Sequence, residues 1–245
     1  SVNNASSDGN IAIGSALIGG TGAIIGCIAI GDGALDATAA NAHTGTLAIG
    51  QGALGACTSA AGNTAVCYFA GKLLTTGANN TILGHDAMQD TPVAATSNVA
   101  IGTSCMGGDI ATTGSVTATN YTVAIGHNVM KSATMSAANH NVAIGYSAAN
   151  TLVDGTENVV IGSGAGATMT AARYCILIGK SAGAAITDND AEATIAIGYN
   201  SGLAHDDGTG CVYIGHKTGL TNQSGDNLVA IGHSAMLNTG DYDND

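Results

Sequence analysis

The chain has no tryptophan, one phenylalanine, one proline and only five lysine or arginine residues in 245. Each shortage excludes something. A layered globular core needs large side chains to fill its volume, so the scarcity of Trp and Phe argues against one even though the length would permit it. Five cations against 17 acidic residues give a formal net charge of −12. That leaves no basic footprint for phosphate backbones or anionic lipid heads, and no nucleic-acid partner is expected. The six cysteines, Cys27, Cys57, Cys67, Cys105, Cys175 and Cys211, contain no C-x-x-C pair, which argues against zinc or dithiol redox chemistry. One uncharged stretch, Ile11 to Gly31, approaches the length of a membrane span. It is too rich in glycine for one, and its Ile-Ala-Ile-Gly ends belong to a pattern found throughout the chain, so no membrane insertion is expected. No signal-peptide pattern opens the sequence at Ser1, as a processed or excised piece would show.

What is abundant is glycine, 37 residues, set in a recurring phrase. It reads "NHNVAIGYSAAN" at 139–150, "SNVAIGTSCM" from Ser97 and "NLVAIGHSAM" from Asn227. The glycine of this phrase serves as a marker and falls at Gly14, Gly31, Gly50, Gly84, Gly102, Gly126, Gly145, Gly162, Gly179, Gly198, Gly215 and Gly232. Between Gly50 and Gly84 the interval is 34, and at its midpoint Cys67 stands in "NTAVCYFA" where a glycine is expected, which makes thirteen units. Most intervals are 17, and the longest, before Gly126, is 24. A catalytic motif occurs once; a phrase at a fixed period is the mark of a stacked repeat.

The unit is too short for a helix pair and has no 3.6-residue apolar rhythm. It reads as one coil of a parallel β-solenoid: a short strand, a turn at the marker, a second segment of small residues, and a variable loop. The fold class expected is therefore all-β, with a lead-in at 1–9, a solenoid at 10–236 and an acidic tail at 237–245. Thirteen rungs at ~4.8 Å make a rod on the order of 60 Å long. In the strand triplets "VAI", "VVI", "ILI" and "IAI" all three residues are apolar, so neither face of the strand is designed for water. One face can fill the coil. The other requires a second apolar surface, and a thin coil supplies none, so packing against copies of the same chain is expected.

These residues resemble the head repeats of trimeric autotransporter adhesins, the YadA-like heads, and related repeats of phage tail fibres. That repeat reads approximately N-S-V-A-I-G; "NLVAIG" at Asn227–Gly232 keeps its spacing, while most units here set Asn one residue nearer the glycine. The resemblance covers Asn10 to Met236. It implies a left-handed parallel β-roll, a homotrimer, surface exposure and attachment to a host cell-surface glycan or protein, with no catalytic residue and no cofactor. The coil here is about three residues longer than the family's, which enlarges the loops, and no stalk or anchor strands follow within this sequence. Six unpaired thiols suit a fibre assembled in a reducing cytosol better than an adhesin that crosses an oxidising periplasm. Cys27, Cys175 and Cys211 stand four residues before a marker, where other units carry Asn or Thr, and read as ladder substitutes. A virion is thus favoured over a bacterial surface, and both are extracellular.

Several motifs invite chemistry and are better read as repeat positions. "GKSAG" from Gly179 fits the nucleophile elbow with Ser181, but the same position carries Gly164, Asn200 and Lys217 in neighbouring units. A P-loop would need glycine where Tyr174 stands, and "GSGAGA" from Gly162 is not followed by a helical pattern. No metal is expected. The side chains that could supply one are His216 and His233, both directly after a marker on adjacent coils, and for calcium Asp188 and Asp190 in "DND". The glycine pairs Gly162/Gly166, Gly179/Gly183, Gly198/Gly202 and Gly215/Gly219 read as a second turn or a close approach between chains.

The function expected is a structural and binding one. The loops Thr103–Thr122 and Lys180–Thr194 are the candidate contact surfaces, with weak contacts multiplied along and around the rod. A filament subunit without a receptor needs the same stacked core. An acyltransferase of the hexapeptide class is kept in view by Ile18, Ile24 and Ile30, six residues apart, but intervals of 17, 19 and 24 break that phase. An ice-binding array would need Thr pairs in phase, and "TAT" from Thr117 does not recur.

Overall fold

The computed structural model describes residues 8–15, 22–37, 42–59, 61–90, 94–107, 119–132, 135–187 and 191–237. They form a parallel β-solenoid with no α-helix among the described residues. The chain divides into two compact units, Ser1–Thr122 and Val123–Asp245, and the division follows the longest interval between markers.

In the first unit the strand triplets are β1 (Ile11–Ile13), β3 (Ile28–Ile30), β5 (Leu47–Ile49), β6 (Thr64–Val66), β7 (Thr81–Leu83) and β8 (Val99–Ile101). Each pairs in parallel with the next, residue on equivalent residue, as in Ile28↔Leu47 and Ala29↔Ala48. A second, shorter ladder joins β2 (Ile24–Ile25) to β4 (His43–Thr44). Single bridges from Asp8 to Ile25 and from Thr44 to Ala61 extend it. The second unit repeats the main ladder with β9 (Val123–Ile125), β10 (Val142–Ile144), β11 (Val159–Ile161), β12 (Ile176–Ile178), β13 (Ile195–Ile197), β14 (Val212–Ile214) and β15 (Val229–Ile231), again in register.

The marker glycine ends each triplet because of its neighbours along the stack. Gly162 has φ +139°, and a Cβ on it would stand 2.4 Å from the carbonyl oxygen of Gly179 on the next coil. Glycine is thus favoured here on two counts, the left-handed backbone and the lack of room for a side chain. Two and four residues past the marker the backbone is again left-handed, at Ser147 (φ 52°) and Ala149 (φ 47°) for example. Backbone N–H groups of this second segment reach carbonyls of neighbouring coils, as Gly164 does to Tyr146 at 2.9 Å and Gly166 to Ala182 at 3.0 Å. The stack is therefore hydrogen-bonded along two segments of each coil.

Inside, the middle residue of every triplet but the first is buried, and so, in the coils between the ends, are the described residues four and seven past the marker: Ala143, Ala149 and Leu152 in one coil, Ala48, Leu54 and Cys57 in another. In several coils the sizes compensate. Ala29, Ala48, Ala100 and Ala124 sit in coils with Leu35, Leu54, Met106 and Met130. Where the middle residue is Leu177 or Tyr213 the partner is glycine: a Cβ on Gly183 would lie 2.7 Å from Leu177 Cδ2, and one on Gly219 2.5 Å from Tyr213 Cδ1. The glycine pairs noted in the sequence are thus second turns, and their close approach is to the chain's own core.

Four residues before the marker runs a polar ladder. In the first unit the backbone N–H and Nδ2 of Asn80 donate to Asn63 Oδ1 at 2.8 and 3.0 Å, and those of Asn98 to Asn80 Oδ1 at 3.0 and 3.1 Å. The second unit repeats it from Asn158 to Asn141 Oδ1, at 3.0 Å for both donors. Each Asn also gives its amide to one carbonyl of the next coil, seven residues before that coil's marker: Asn63 to Gly77 at 2.8 Å, Asn158 to Ala172 at 2.8 Å. Buried amides are tolerated in this core because both ends of each are satisfied.

The cysteines at these ladder positions use the same partners. Cys175 donates its backbone N–H to Asn158 Oδ1 at 2.9 Å and its thiol to Ala191 at 3.4 Å, and the Cys211 thiol donates to Gly225 at 3.0 Å. Ala191 and Gly225 are the carbonyls an asparagine would reach. All six cysteines are free.

Candidate functional site

The alternation of a strand puts the first and third residues of every triplet on the face opposite the core. These are the branched ones. In the second unit Val142, Val159, Ile176, Ile195 and Val212 form one outward column, and Ile144, Ile161, Ile178, Ile197 and Ile214 another. They are half-buried or exposed while the residue between them is buried, whether it is Ala143 or Ala196 or the larger Val160, Leu177 and Tyr213. The first unit presents the same two columns, with Thr64 and Thr81 as polar interruptions. Soluble surfaces rarely carry a continuous apolar strip of this kind without a partner.

Two further columns flank the strip and are more exposed. Directly after the marker stand His127, Tyr146, Ser163, Lys180, Tyr199, His216 and His233 in the second unit. Five residues before the marker stand His140, Glu157 and Tyr174. The strand register brings rings of adjacent coils face to face. His127 and Tyr146 stack at 5.5 Å and 2°, Tyr199 and His216 at 5.3 Å and 23°, His216 and His233 at 4.8 Å and 8°. Tyr68 and His85 repeat the arrangement in the first unit at 5.0 Å. An apolar strip bordered by Tyr and His has the anatomy of a protein interface, with a dry centre and a polar rim.

The stack also decides what His216 and His233 do as placed. Imidazole binds a metal in the plane of its ring, at about 2.0–2.1 Å from nitrogen. Two parallel rings 4.8 Å apart share no such in-plane point and form no chelate. Among the described residues no group of three or more His, Cys, Asp or Glu is arranged for a metal. Asp188 and Asp190 lie outside the described residues, as do most of the Thr103–Thr122 loop and the tip of Lys180–Thr194. Ser181 sits at φ 54°, with its N–H on Ser163 at 3.0 Å. Gly164, Asn200 and Lys217 hold the same turn position at 65°, 53° and 56°. No helix of the described residues is long and apolar enough to cross a membrane.

The structure adds a buried polar cluster that sequence reading missed. Tyr213, the middle residue of β14, donates its hydroxyl to Asn222 Oδ1 at 2.8 Å and stands 3.4 Å from His205 Nδ1. His205 Nε2 donates to the Gly208 carbonyl at 2.9 Å. All three side chains are fully buried. Burial outweighs the favourable hydrogen bonds and carboxylates around His205 and lowers its pKa, and burial raises that of Tyr213. The only trace in the sequence is a tyrosine inside "VYI", where other units have an aliphatic residue.

No family model, no curated protein and no solved structure matches the chain.

Proposed function

We propose that the chain is a structural, self-associating solenoid segment of an extracellular fibre or adhesin, a homotrimer of left-handed coils that presents its rim and loops for attachment to a cell-surface glycan or protein. The observation that carries this is the outward strip of branched residues, two columns in register with no covering element among the described residues. Burial of such side chains stabilises by roughly 25 cal/mol per Å², and a sister molecule offers a matching strip in matching register. The rim of Tyr and His supports a protein partner on the strip over open water. Six free cysteines, five of them buried, support assembly in a reducing compartment and so a virion fibre over a secreted bacterial head. Nothing in the chain is assigned a catalytic or cofactor role.

The test is native mass spectrometry of the chain. Three-chain particles are expected, and Ile161→Glu with Ile178→Glu should release monomers that keep the β signal in circular dichroism. A wild-type monomer at micromolar concentration overturns the proposal. A filament without a receptor would use the same strip; attachment to host cells separates the two.

A further inference from the structure

Tyr146 is the last ring of its stack. One face lies against His127 at 5.5 Å with the planes 2° apart, so its normal runs along the stack and its other face looks to the next coil. There the equivalent residue is Ser163, followed by Gly164, and neither fills the space beside the ring. Tyr146 is 60% exposed, and His127 is its one ring contact among the described residues. One coil further stands Lys180, exposed, its ammonium 5.9 Å from the Tyr199 ring on the far side. The strands beneath are in register, Ile144 on Ile161 on Ile178, so Tyr146, Ser163 and Lys180 follow one another in a single column.

Two rungs separate Tyr146 from Lys180, about 9.6 Å at the usual strand spacing of ~4.8 Å. A six-membered ring in contact with both sides needs about 7–8 Å, at roughly 3.5–4.0 Å for each contact. The gap therefore admits one ring. Its upper wall is an aromatic face suited to the C–H groups of a sugar, its floor is Ser163 and Gly164, and the Ser181 hydroxyl lies by that floor, 3.7 Å from where a Cβ on Gly164 would stand. Lys180, one of only five cations in a chain of net charge −12, stands at its other end, with its ammonium turned over Tyr199 and on a flexible stem that can swing back over the gap. No carboxylate stands in the marker-plus-one or marker-plus-two columns of these coils.

We infer that the gap between Tyr146 and Lys180 over Ser163 is a binding site for a carboxylate-bearing sugar residue, which stacks on Tyr146 and sets its carboxylate against Lys180. This rests on the attachment reading and names the class of ligand for it. Elsewhere the column leaves no such gap beside a tyrosine with a free face: Tyr199 is backed by Lys180 and His216, and Tyr68 by His85.

Titration of the intact protein with methyl β-D-glucuronide, followed by amide chemical shifts, tests it, with methyl β-D-glucoside as the neutral counterpart. Saturable shifts are expected around residues 145–147, 162–164 and 179–181, with the glucoside at least tenfold weaker. Lys180→Gln should bring the two sugars to the same affinity. Ser163→Tyr places in the gap a residue type that Tyr146 and Tyr199 already show at this coil position, and should lower glucuronide affinity at least tenfold with the fold intact. Glucuronide binding by Ser163→Tyr at wild-type strength, equal binding of both sugars by the wild type, or no shift at these residues overturns the site. Particle mass reports separately: trimers without sugar binding sink this inference alone, and sugar-binding monomers sink only the assembly.

Discussion

The ring of Tyr213 occupies the space that a side chain on Gly219 would fill: a Cβ there would stand 2.5 Å from Tyr213 Cδ1. Gly219 is also at φ +59°. Gly219→Ala should therefore destabilise the second unit by about 2–3 kcal/mol, from overpacking and left-handed strain together. In Tyr213→Ala with Gly219→Ala the two costs should not add, because the first change removes the clash created by the second. Urea denaturation of the single and double variants measures the coupling.

Cys67 takes a marker position with φ 113°. Its neighbours in that column are glycines, and a residue with a side chain in so sparsely populated a region costs on the order of 1–3 kcal/mol. Cys67→Gly is expected to stabilise the first unit by about 1 kcal/mol, read as a higher urea midpoint.

Burial pushes the thiols of Cys57 and Cys105 up to about 12 and that of Cys175 up to about 11. The Cys27 thiol is raised as well, chiefly by burial, and Cys211 is fully buried. Cys67 is the half-exposed one. Thiolate is the reactive form, so at pH 8 a disulfide reagent should titrate one thiol rapidly in the folded protein and six after denaturation. Cys67→Ala should abolish the rapid phase.

His205 is held neutral by burial, its pKa below the ordinary value of 6.5. The unfolded chain then binds the extra proton more tightly than the folded one. Stability contributed by the neutral form is complete above pH 6.5 and falls as the pH drops below it, by up to about 1.4 kcal/mol per unit until the folded pKa is reached. Protection factors of the amides in β13 to β15, which correct for the intrinsic exchange rate, should fall as the pH is lowered below 6.5. His205→Leu, which restores the kind of residue that Leu152 and Ile186 provide in other coils, should flatten that dependence.

The ladder was legible in the sequence because glycine and Val-Ala-Ile recur at a near-constant interval, and within each unit every such triplet is a strand in register with the next. Which face of the triplet points inward was not. Three apolar residues satisfy either choice, and the outcome depends on how much volume the rest of the coil supplies: Leu54 and Met130 fill the centre, so alanine suffices on the strand. The left-handed turns at Leu54, Met106 and Ala149 left no sign either, since only some coils mark that turn with glycine. Tyr213 and Asn222 face each other across one coil, and His205 joins them only through the stacking of the coil before. The candidate sugar site has the same origin, because its aromatic wall and its cation are 34 residues apart in "YSAAN" and "GKSAG".

Coils so alike could pair with the wrong neighbour, one full repeat out of step, and keep most of their contacts. Bulky residues set against glycine oppose this: Leu177 with Gly183 and Tyr213 with Gly219 give their layers a shape that layers such as Ala48 with Leu54 do not share. Such mismatched sizes act as an address, and a chain that exchanged them for uniform alanine would lose the means to count its own turns while it folds.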